Sequence, residues 1–418
     1  MKDVILITNY YHFETERSSS RYRTLAEMIA NEKSINLEVV TSSFYHRIKK
    51  QRVMENIEAE LPFRVRLLYE GGYKKNISLK RLKSSREFSR SVLQYLKHRK
   101  VPDLIYLVIP SLDVAAVVSK YADENSVPLM IDIQDLWPET FRMVVDIPLV
   151  SDLLFAPMMR MANQVYAKAD QIIAVSETYV RRGMSVNHRC KEGMSVYIGS
   201  DISYAKKMME SQIVYKPAGE FWITYVGTLG YNYDIELVID ALAILMERGI
   251  SKIVFQVCGN GELMEKFQAA AKCKQVSAVF HGHTDYGCMM KILSLSDAAV
   301  NPIIGKAVGS ITNKVADYAV AGTPVVNTQP NNEYRQLLDE YEAGINCPPG
   351  NVVSVADAIE RLYYDEERRA RMHENALHLG KSKFSRRDTY GAIVDKIKAM
   401  MGEKHVKGAF NQHYYSGL

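Results

Sequence analysis

The sequence is poor in cysteine, and the few cysteines are placed in a way that excludes two common structural devices. The 418 residues include five cysteines, an odd number, and none of them form a Cys-x-x-Cys pair. Structural zinc sites usually take closely spaced pairs of cysteines, and disulfide frameworks take an even number of cysteines. The cysteine content therefore argues against structural zinc and is typical of a protein from a reducing compartment.

Long apolar runs are also missing. No segment approaches the ~18 consecutive apolar residues that a membrane-spanning helix requires. The first eight residues contain only four apolar residues in a row, too few for the core of a signal peptide. The sequence therefore predicts a cytoplasmic protein, and the basic segment described below adds a peripheral position at the inner face of the plasma membrane.

A strong excess of one charge is absent as well. The formal net charge of +5 at pH 7 is mild over this length and argues against a dedicated nucleic-acid-binding protein. Hydrophobic residues make up 47% of the chain and charged residues 24%, which is a globular composition. The length is too great for one hydrophobic core and suits two domains of about 200 residues each.

Short β-branched apolar runs alternate with longer amphipathic runs, which predicts an α/β protein with parallel sheets and helices on both faces. The predicted strands lie at 4–8, 37–41, 65–69, 104–109, 129–133, 172–176, 222–227, 253–259, 278–282, 298–303 and 324–328. A linker is placed near 200–218, where the sequence is polar and weakly periodic. The predicted units are two Rossmann-like domains at 1–200 and 201–385, a helix at 386–402 and a mobile tail at 403–418. Two such domains facing each other would bind ligands in the cleft beyond their strand ends.

The most informative segment lies at 310–328, where a polar loop, a short helix, a glycine stop and a buried strand follow one another. Ser310 or Thr312 is placed to cap the helix, and Gly322 ends it. The free N–H groups at a helix start attract anions such as phosphate. Lys314 adds a positive charge in the first turn, although an ordinary solvated lysine is the alternative.

The sequence around this helix resembles the nucleotide-sugar segment of glycosyltransferase family 4, whose enzymes have the GT-B fold. The resemblance is carried by Lys314, Asp317, Tyr318, Gly322, Pro324 and Val325. Four further segments match that family in the same order, at 131–140, 169–176, 225–234 and 257–262. The first of them, Ile-Asp-Ile-Gln-Asp-Leu-Trp-Pro-Glu-Thr, resembles a segment of many bacterial enzymes of polysaccharide synthesis.

The resemblance implies a retaining glycosyltransferase that moves a hexosyl or N-acetylhexosaminyl group from a nucleotide-diphosphate sugar, with UDP as the expected carrier. The implied acceptor is a lipid-linked oligosaccharide in capsule, O-antigen or exopolysaccharide synthesis. The first domain would bind the acceptor and the second the donor. The helix at 386–402 would pack back on the first domain, with an ordinary terminal helix of the second domain as the alternative. No metal or other cofactor is expected, and the sequence contains no Asp-x-Asp motif.

By the same resemblance, loops of the second domain would bind the donor. Lys314 would neutralise the departing diphosphate, and Asp317 would bind the ribose, with a surface ion pair to Lys314 as the alternative. The other candidates for donor binding are Thr228, Gly230, Gly259, Gly261, His283, Gly309, Ser310, Ile311, Thr312 and Asn313. Four positions of the second domain depart from the family pattern, because Thr228 and Tyr233 replace basic residues and both Gly309 and Asp317 stand where a glutamate is usual.

Candidates for the acceptor side follow two predicted strands of the first domain. They are Ser18, Ser19, Ser20, Arg21, Gln134, Asp135 and Glu139. The serines would cap a helix or bond an acceptor oxygen, and Arg21 would reach an acceptor phosphate or lie on the helix surface. Asp135, a predicted catalytic residue, would orient the acceptor hydroxyl or take its proton, with a turn residue as the alternative. Gln134 stands where many relatives have histidine, and Trp137 would stack on a sugar or lie in the core.

A strongly basic stretch lies in the same domain. The segment 74–100 carries ten Lys or Arg residues against one acid, Glu87, with apolar residues interleaved. This composition suits an anionic membrane surface or a lipid diphosphate. The alternative is a solvated helix face that covers the sheet.

Two other functions remain open on the sequence. A nucleotide-sugar epimerase or hydrolase of the same fold would use the donor without an acceptor. A catalytically idle GT-B subunit that supports a partner transferase is suggested by the departures at Gln134, Thr228, Tyr233 and Gly309. Nucleotide binding would separate an idle subunit from an enzyme.

Overall fold

The computed structural model describes residues 1–13, 16, 21–52, 61–75, 78–142, 150–304 and 311–402. Five predicted site residues lie outside this part of the chain, namely Ser18, Ser19, Ser20, Gly309 and Ser310. The predicted tail at 403–418 lies outside it as well.

The amino-terminal domain is built on a seven-stranded parallel sheet and a small antiparallel hairpin whose two strands are two residues long. Its strands are β1 (Lys2–Ile7), β2 (Ile35–Ser42), β3 (Phe44–Tyr45), β4 (Lys50–Gln51), β5 (Arg64–Leu68), β6 (Leu104–Ile109), β7 (Leu129–Ile133), β8 (Gln171–Ala174) and β9 (Met194–Ser195). Its helices are α1 (Arg21–Ala30), α2 (Leu79–His98), α3 (Leu112–Glu124), α4 (Glu139–Arg142), α5 (Val150–Lys168) and α6 (Glu177–Met184). The sheet order is β5-β2-β1-β6-β7-β8-β9, and β3 pairs with β4.

Both faces of this sheet are covered, which is why its central strands are unbroken apolar runs. Val4 and Leu6 of β1 lie in a core shared with α1. Ile5 and Ile7 lie in a second core, on the other face, shared with α2 and α3. Alternate residues of one strand thus serve two helical layers.

The second domain is built on a six-stranded parallel sheet. Its strands are β10 (Phe221–Val226), β11 (Ile253–Cys258), β12 (Ala278–Gly282), β13 (Ala298–Asn301), β14 (Val325–Asn327) and β15 (Gly344–Asn346). The helices of this half of the chain are α7 (Ile202–Glu210), α8 (Ile235–Glu247), α9 (Met264–Cys273), α10 (Tyr286–Leu295), α11 (Asn313–Val320), α12 (Asn332–Glu340), α13 (Val352–Tyr364) and α14 (Glu366–Leu379). A π-helical turn (Gly380–Phe384), α15 (Arg386–Thr389) and α16 (Gly391–Gly402) follow. The strand order is β12-β11-β10-β13-β14-β15. Successive strands are added on one side of β10 up to β12 and on its other side from β13 onward.

The prediction of an α/β fold with two parallel sheets is confirmed, and every predicted strand has a counterpart in the sheets. Four strands were not predicted, namely β3, β4, β9 and β15, because they are two or three residues long and too short to show a period. Helix α7, which lies within the predicted linker and is capped by the Asp201 side chain, was not predicted either. Ala205 is the buried residue of this nine-residue helix, so its sequence shows little periodicity.

The chain passes between the domains twice, and the two passages are hydrogen bonded to each other. The Ser200 N–H donates to the carbonyl of Phe384 at 2.7 Å, and the Arg386 N–H donates to the carbonyl of Ser200 at 3.1 Å. Beyond this point α16 packs on the amino-terminal domain, where Ile393 and Ile397 share a core with β1 and α1. The last helix thus crosses back to the first domain.

A buried ion pair ties both passages to the first domain. The Arg21 guanidinium lies 3.1 Å from the Asp132 carboxylate, with side chains 3% and 0% exposed. Arg21 also donates to the carbonyl oxygens of Val196 and Tyr197 at 2.9 and 3.0 Å and lies over the Tyr390 ring. This corrects the expectation that Arg21 faces an acceptor, because its guanidinium lies in the core and joins α1 and β7 to both passages.

The variant Asp132→Asn is expected to destabilise the protein by about 3–5 kcal/mol, because it leaves the Arg21 charge buried without its counter-charge. Urea unfolding followed by circular dichroism measures this loss. The matched control is Lys266→Gln, which breaks an exposed ion pair with Glu236 and is expected to cost less than about 1 kcal/mol. Equal losses in the two variants would contradict the role given to the buried pair.

Candidate functional site

The carboxyl ends of the two sheets face one another. Glu333, at the start of α12 after β14, accepts a hydrogen bond from the backbone N–H of Glu177 at 3.0 Å. Glu177 begins α6 directly after β8, and the Tyr197 hydroxyl donates to the same Glu333 carboxylate at 2.8 Å. Ligands of open α/β sheets bind at these strand ends, so the space between the domains is the candidate site.

In the second domain, the loops that leave β10 and β11 cross at close range. The carbonyl oxygen of Gly227 lies 1.8 Å from the position of a Cβ on Gly259, and that of Leu229 lies 2.2 Å from a Cβ on Gly261. Any side chain at either glycine would collide with backbone. Loop packing therefore requires both predicted donor-binding glycines, and any contact they make with a ligand comes from their backbone.

Lys314 is buried beside this crossing and is held between aromatic rings. Its Nζ lies 3.7 Å from the centre of the Tyr233 ring and 4.5 Å from that of Tyr225. The Tyr225 hydroxyl is 3.4 Å from the same nitrogen. Gly227 passes beside it, since a Cβ there would lie 3.1 Å from Nζ. Lys314 therefore lies at the carboxyl end of β10, next to the switch point at which the connections of the sheet turn from the β10-β11-β12 side to the β13-β14-β15 side.

The environment of Lys314 disfavours its positive charge. Within the described ranges no carboxylate forms an ion pair with it, so Asp317 is not its partner. Burial lowers the pKa of the Lys314 amine well below its usual value. A buried cation is costly unless it is paired, so a negatively charged ligand beside Nζ would stabilise the charged form.

The start of α11 adds further groups that can bind an anion. Thr312 is the N-cap residue, but its side chain makes no capping bond. Its Oγ1 is buried and has no partner in the described part of the chain. Ile311 before it is buried and Asn313 after it is exposed. The start of α11 thus offers free backbone N–H groups and an unpartnered Thr312 hydroxyl within two residues of Lys314.

Asp317, one turn after Lys314, faces the passages between the domains. Its Oδ1 accepts a hydrogen bond from the Tyr286 hydroxyl at 3.0 Å, and the Ser200 hydroxyl lies 2.9 Å from that of Tyr286. Burial raises the pKa of the Asp317 carboxyl to about 6. A ribose at this carboxylate would therefore share it with Tyr286.

The remaining predicted donor residues lie on the rim of the site. Thr228 is exposed, and its carbonyl accepts a hydrogen bond from the Tyr225 hydroxyl at 2.8 Å. The Gly230 carbonyl accepts from the Tyr233 N–H at 3.1 Å, which closes the turn that carries the Tyr233 ring. His283 is exposed after β12, two strands from β10. The structure thus brings Thr228 and Gly230, but not His283, to the surroundings of Lys314.

On the acceptor side, Asp135 bonds within its own loop. Its carboxylate accepts from the Trp137 indole N–H at 3.1 Å and from the Thr140 hydroxyl at 2.6 Å. This favours the turn residue over the catalytic base. The Gln134 amide donates to Asp132 at 2.7 Å, so Gln134 supports the buried ion pair.

Glu139 also has a structural partner. Its carboxylate forms an ion pair with Arg182 of α6. Arg182 in turn donates to Asn163 of α5 at 2.7 Å and lies over the Tyr166 ring at 5.2 Å. The Glu139 carboxylate thus joins α4 to α5 and α6 through one oxygen, while Oε2 has no hydrogen-bond partner in the described part of the chain, and its contact with an acceptor stays a prediction.

Sequence reasoning missed the residues that surround Lys314 and the contact between the domains. Tyr225 is an ordinary buried residue of a strand, and Tyr233 stands out only as a replacement for a basic residue. The available signal is a pair of tyrosines on either side of the 227–230 turn. No local signal marks Glu333, since its partner lies 156 residues away.

Comparison with known proteins finds similar sequences in the second half of the chain. Residues 209–378 match the family model described as glycosyl transferases group 1. Alpha-D-kanosaminyltransferase from Streptomyces kanamyceticus is 28% identical over 166 residues, which are 39% of this chain and 42% of that enzyme. An uncharacterized glycosyltransferase of Methanocaldococcus jannaschii is 23% identical over 207 residues, or 47% of this chain and 51% of the relative. The chain thus matches about half the length of these curated relatives, or less.

Solved structures are similar over nearly the whole chain. Sucrose-phosphate synthase from Thermosynechococcus elongatus has a TM-score of 0.71 at 14% identity, covering 96% of this chain and 100% of that chain. HepE of Anabaena, in complex with UDP, has a TM-score of 0.67 at 16% identity, with coverage of 96% and 100%. At sequence identities this low, the similarity to solved structures establishes the fold and nothing more. The chain has the GT-B fold, and its second half carries the sequence pattern of glycosyl transferases group 1.

Proposed function

We propose that this protein is a retaining glycosyltransferase that uses a nucleotide-diphosphate sugar, with UDP as the carrier. The match of residues 209–378 to glycosyl transferases group 1 supports this proposal. So does the fold shared with HepE, whose structures contain UDP and UDP-glucose. The proposed transferred group is hexosyl or N-acetylhexosaminyl, and the proposed acceptor is a lipid-linked oligosaccharide of a surface polysaccharide.

The observation that carries the proposal is the buried Lys314 amine at the switch point. It has aromatic faces around it, a helix N-terminus beside it and the buried Thr312 hydroxyl two residues before it. A diphosphate would supply the negative charge and the hydrogen-bond acceptors that this arrangement needs. Stabilising the charge that develops on a departing diphosphate is the main electrostatic task of sugar transfer.

The departures from the family pattern are consistent with this assignment. The family places two basic residues at the positions of Thr228 and Tyr233. Here the Tyr233 ring lies against the Lys314 amine at 3.7 Å. We infer that Lys314 carries the positive charge in their place and that Tyr233 positions it through its aromatic face.

The proposed reaction requires no strong base from the protein. The bond from the anomeric carbon to the diphosphate breaks, and the bond to the acceptor oxygen forms on the same face. The proton of the acceptor hydroxyl passes to the departing phosphate. This agrees with the hydrogen bonds that Asp135 makes within its own loop, and the helix start and Lys314 serve the departing group without a metal.

We propose a peripheral position at an anionic membrane for the first domain. At the start of α2, Leu79 and Leu82 are 85% and 47% exposed, and the basic Lys80 and Lys83 stand among them. Such a mixture suits an interfacial helix that lies on anionic lipid. In the described ranges no helix combines the length and apolar character that crossing a bilayer demands.

The variant Lys314→Met is expected to weaken UDP binding roughly 10- to 100-fold, the usual range for losing a hydrogen bond to a charged group. Without nucleotide its melting temperature should equal or exceed that of the wild type, because a buried amine is replaced by an apolar side chain. Thermal shift with UDP measures both quantities. UDP at a hundredfold excess over Kd should stabilise the wild type by about 2.7 kcal/mol.

The matched control for this experiment is Lys266→Met on the exposed face of α9, which should respond to UDP as the wild type does. GDP and ADP serve as competing nucleotides. A wild type that responds to none of the three would favour the idle subunit. A Lys314→Met variant that responds fully would show that Lys314 does not hold the diphosphate.

Binding of UDP is expected to be accompanied by proton uptake at Lys314. Its pKa is lowered in the free protein, and a neighbouring diphosphate raises it, so protons are taken up and affinity rises as the pH falls. Isothermal titration calorimetry at pH 8, in buffers of different ionisation enthalpy, measures the number of protons. The uptake should vanish in Lys314→Met, and an uptake that persists there would assign it to another group.

The variant Asp317→Asn is expected to stabilise the protein more at pH 7.5 than at pH 4.5. The carboxyl pKa is raised from 3.8 to about 6 in the fold, so the folded state binds the proton more tightly than the unfolded state. Stability therefore falls as the pH rises through this interval, by about 1–3 kcal/mol, and an amide does not titrate. Melting temperatures at both pH values test this, with the exposed Asp357→Asn as control. A pH-independent difference would contradict it.

A further inference from the structure

A hydrogen bond joins the two domains directly, close to the passages between them. The Glu333 carboxylate, at the start of α12, accepts from the backbone N–H of Glu177, at the start of α6, with both oxygens at 3.0 Å. The Tyr197 hydroxyl, on the first passage, donates to the same carboxylate at 2.8 Å. These three groups form the Glu333 contact, which joins the second domain both to the first domain and to the passage.

Both helices present their first turns at fixed positions. The Asn331 side chain caps α12 by accepting from the Tyr334 N–H at 2.8 Å, and Tyr334 is 1% exposed. The Ser176 side chain caps α6 by accepting from the Tyr179 N–H at 3.3 Å. Since each helix start is anchored in its own domain, a bond between them fixes one domain relative to the other.

The charge of Glu333 suits the place that it occupies. The amino ends of α6 and α12 meet at this contact, and each carries a partial positive charge. A carboxylate between them interacts favourably with both and pairs an N–H that has no partner within α6. The neighbouring Glu177 carboxylate is bonded within its own domain, by the Ser195 hydroxyl. Glu333 is therefore the acid that spans the two domains here.

Tyr197 connects the Glu333 contact to both passages. Its ring packs on that of Phe384, with centres 5.3 Å apart, and the Phe384 carbonyl accepts the bond from Ser200. Burial, and next the charge of Glu333, raises the pKa of the Tyr197 hydroxyl, so this hydroxyl stays protonated and donates near pH 7. The bonds of Ser200 join the passages to each other, whereas Glu333 reaches across to α6. The Glu333 contact is thus placed to limit rotation of one domain about the passages.

We propose that Glu333 is a positioning residue that holds the two domains at their observed separation by binding the amino end of α6. Its loss lets the second domain rotate about the passages and widens the space between the strand ends. The first domain contributes a peptide N–H of Glu177 to this contact and not a side chain. Neither a donor nor an acceptor takes part in it, so the role given to Glu333 does not depend on the proposed function.

The first test removes the carboxylate. Glu333→Ala is expected to have a larger radius of gyration than the wild type by small-angle X-ray scattering, with unchanged helix content by circular dichroism. Hydrogen exchange at the start of α6, followed by mass spectrometry, should become roughly tenfold faster, because a bond to a charged group is lost. The matched control is Glu340→Ala, which removes an exposed carboxylate from the other end of α12. Equal radii for all three proteins would overturn the proposal.

The second test removes the N–H donor and leaves Glu333 in place. Glu177 is the first residue of α6, a position that proline favours, and Ser176 before it is extended, with φ of −163° and ψ of 158°. Glu177→Pro therefore fits the fold and lacks the N–H, whereas Glu177→Ala lacks the side chain alone. The proline variant should be expanded, and the alanine variant should match the wild type. This pair also decides the matter should Glu333→Ala not fold, and equal radii for the pair would contradict the proposal.

A conservative variant separates the hydrogen bond from the volume of the side chain. Glu333→Gln keeps an oxygen that accepts from the Glu177 N–H and removes the charge. It is expected to be less expanded than Glu333→Ala, because one hydrogen bond between the domains remains. Equal expansion of the two variants would overturn the role of that bond.

Thermal shift with UDP distinguishes this proposal from the proposed function. Each variant should keep the response of the wild type, since the predicted donor residues lie in the second domain. A wild type that ignores all nucleotides would overturn the donor and not the Glu333 contact, because scattering needs no ligand. A wild type that responds to UDP, without expansion in either Glu333→Ala or Glu177→Pro, would overturn the Glu333 contact alone.

Discussion

The buried ion pair between Arg21 and Asp132 is the interaction on which the placement of the two domains depends. Removing two charges from water costs several kcal/mol per ion, and apolar residues of equal volume would pack here as well. They could not bond the carbonyls of Val196 and Tyr197, which Arg21 holds at the point where the chain leaves the first domain. The pair therefore fixes the position of the chain at Val196 and Tyr197 more than it raises the free energy of unfolding. It fixes the passages, and the passages set how the two rows of strand ends face each other.

Lys314 is the opposite case, a buried amine without an acid beside it in the described structure. Only aromatic faces and one hydroxyl surround it in the free protein, so burial disfavours its charged form. Arg21 has its counter-charge within the fold, whereas Lys314 has none in the described structure. This contrast separates a structural basic residue from one whose charged form a negatively charged ligand would stabilise.

The fold was predictable because its information is local. Strands of apolar β-branched residues and amphipathic helices repeat along the chain, and the segment around Lys314 shows its helix start, its stop and its following strand directly. The side-chain partners were not predictable in the same way. Arg21 follows a run of serines at a helix start, a pattern that is typical of a surface residue. Its partner Asp132 lies 111 residues away, so no local pattern indicates the pair. The left-handed backbone of Lys49, with φ of 58°, is equally hidden in the sequence, since such backbone is expected at glycine or asparagine and not at lysine.

The position of Asp317 connects the donor site to the passages. Lys314 and Asp317 lie on neighbouring turns of α11, and Asp317 reaches Ser200 through the Tyr286 hydroxyl. Ser200 is the residue at which the two passages bond to each other. A ribose hydroxyl that bonded the Asp317 carboxylate would compete with the Tyr286 hydroxyl for it. It would thereby alter the contacts through which Tyr286 reaches Ser200, at the point where the domains join. Under the proposed function, donor binding and domain placement would be coupled through α11, because this short helix would hold the diphosphate at its start and carries, one turn later, a carboxylate bonded to the passages.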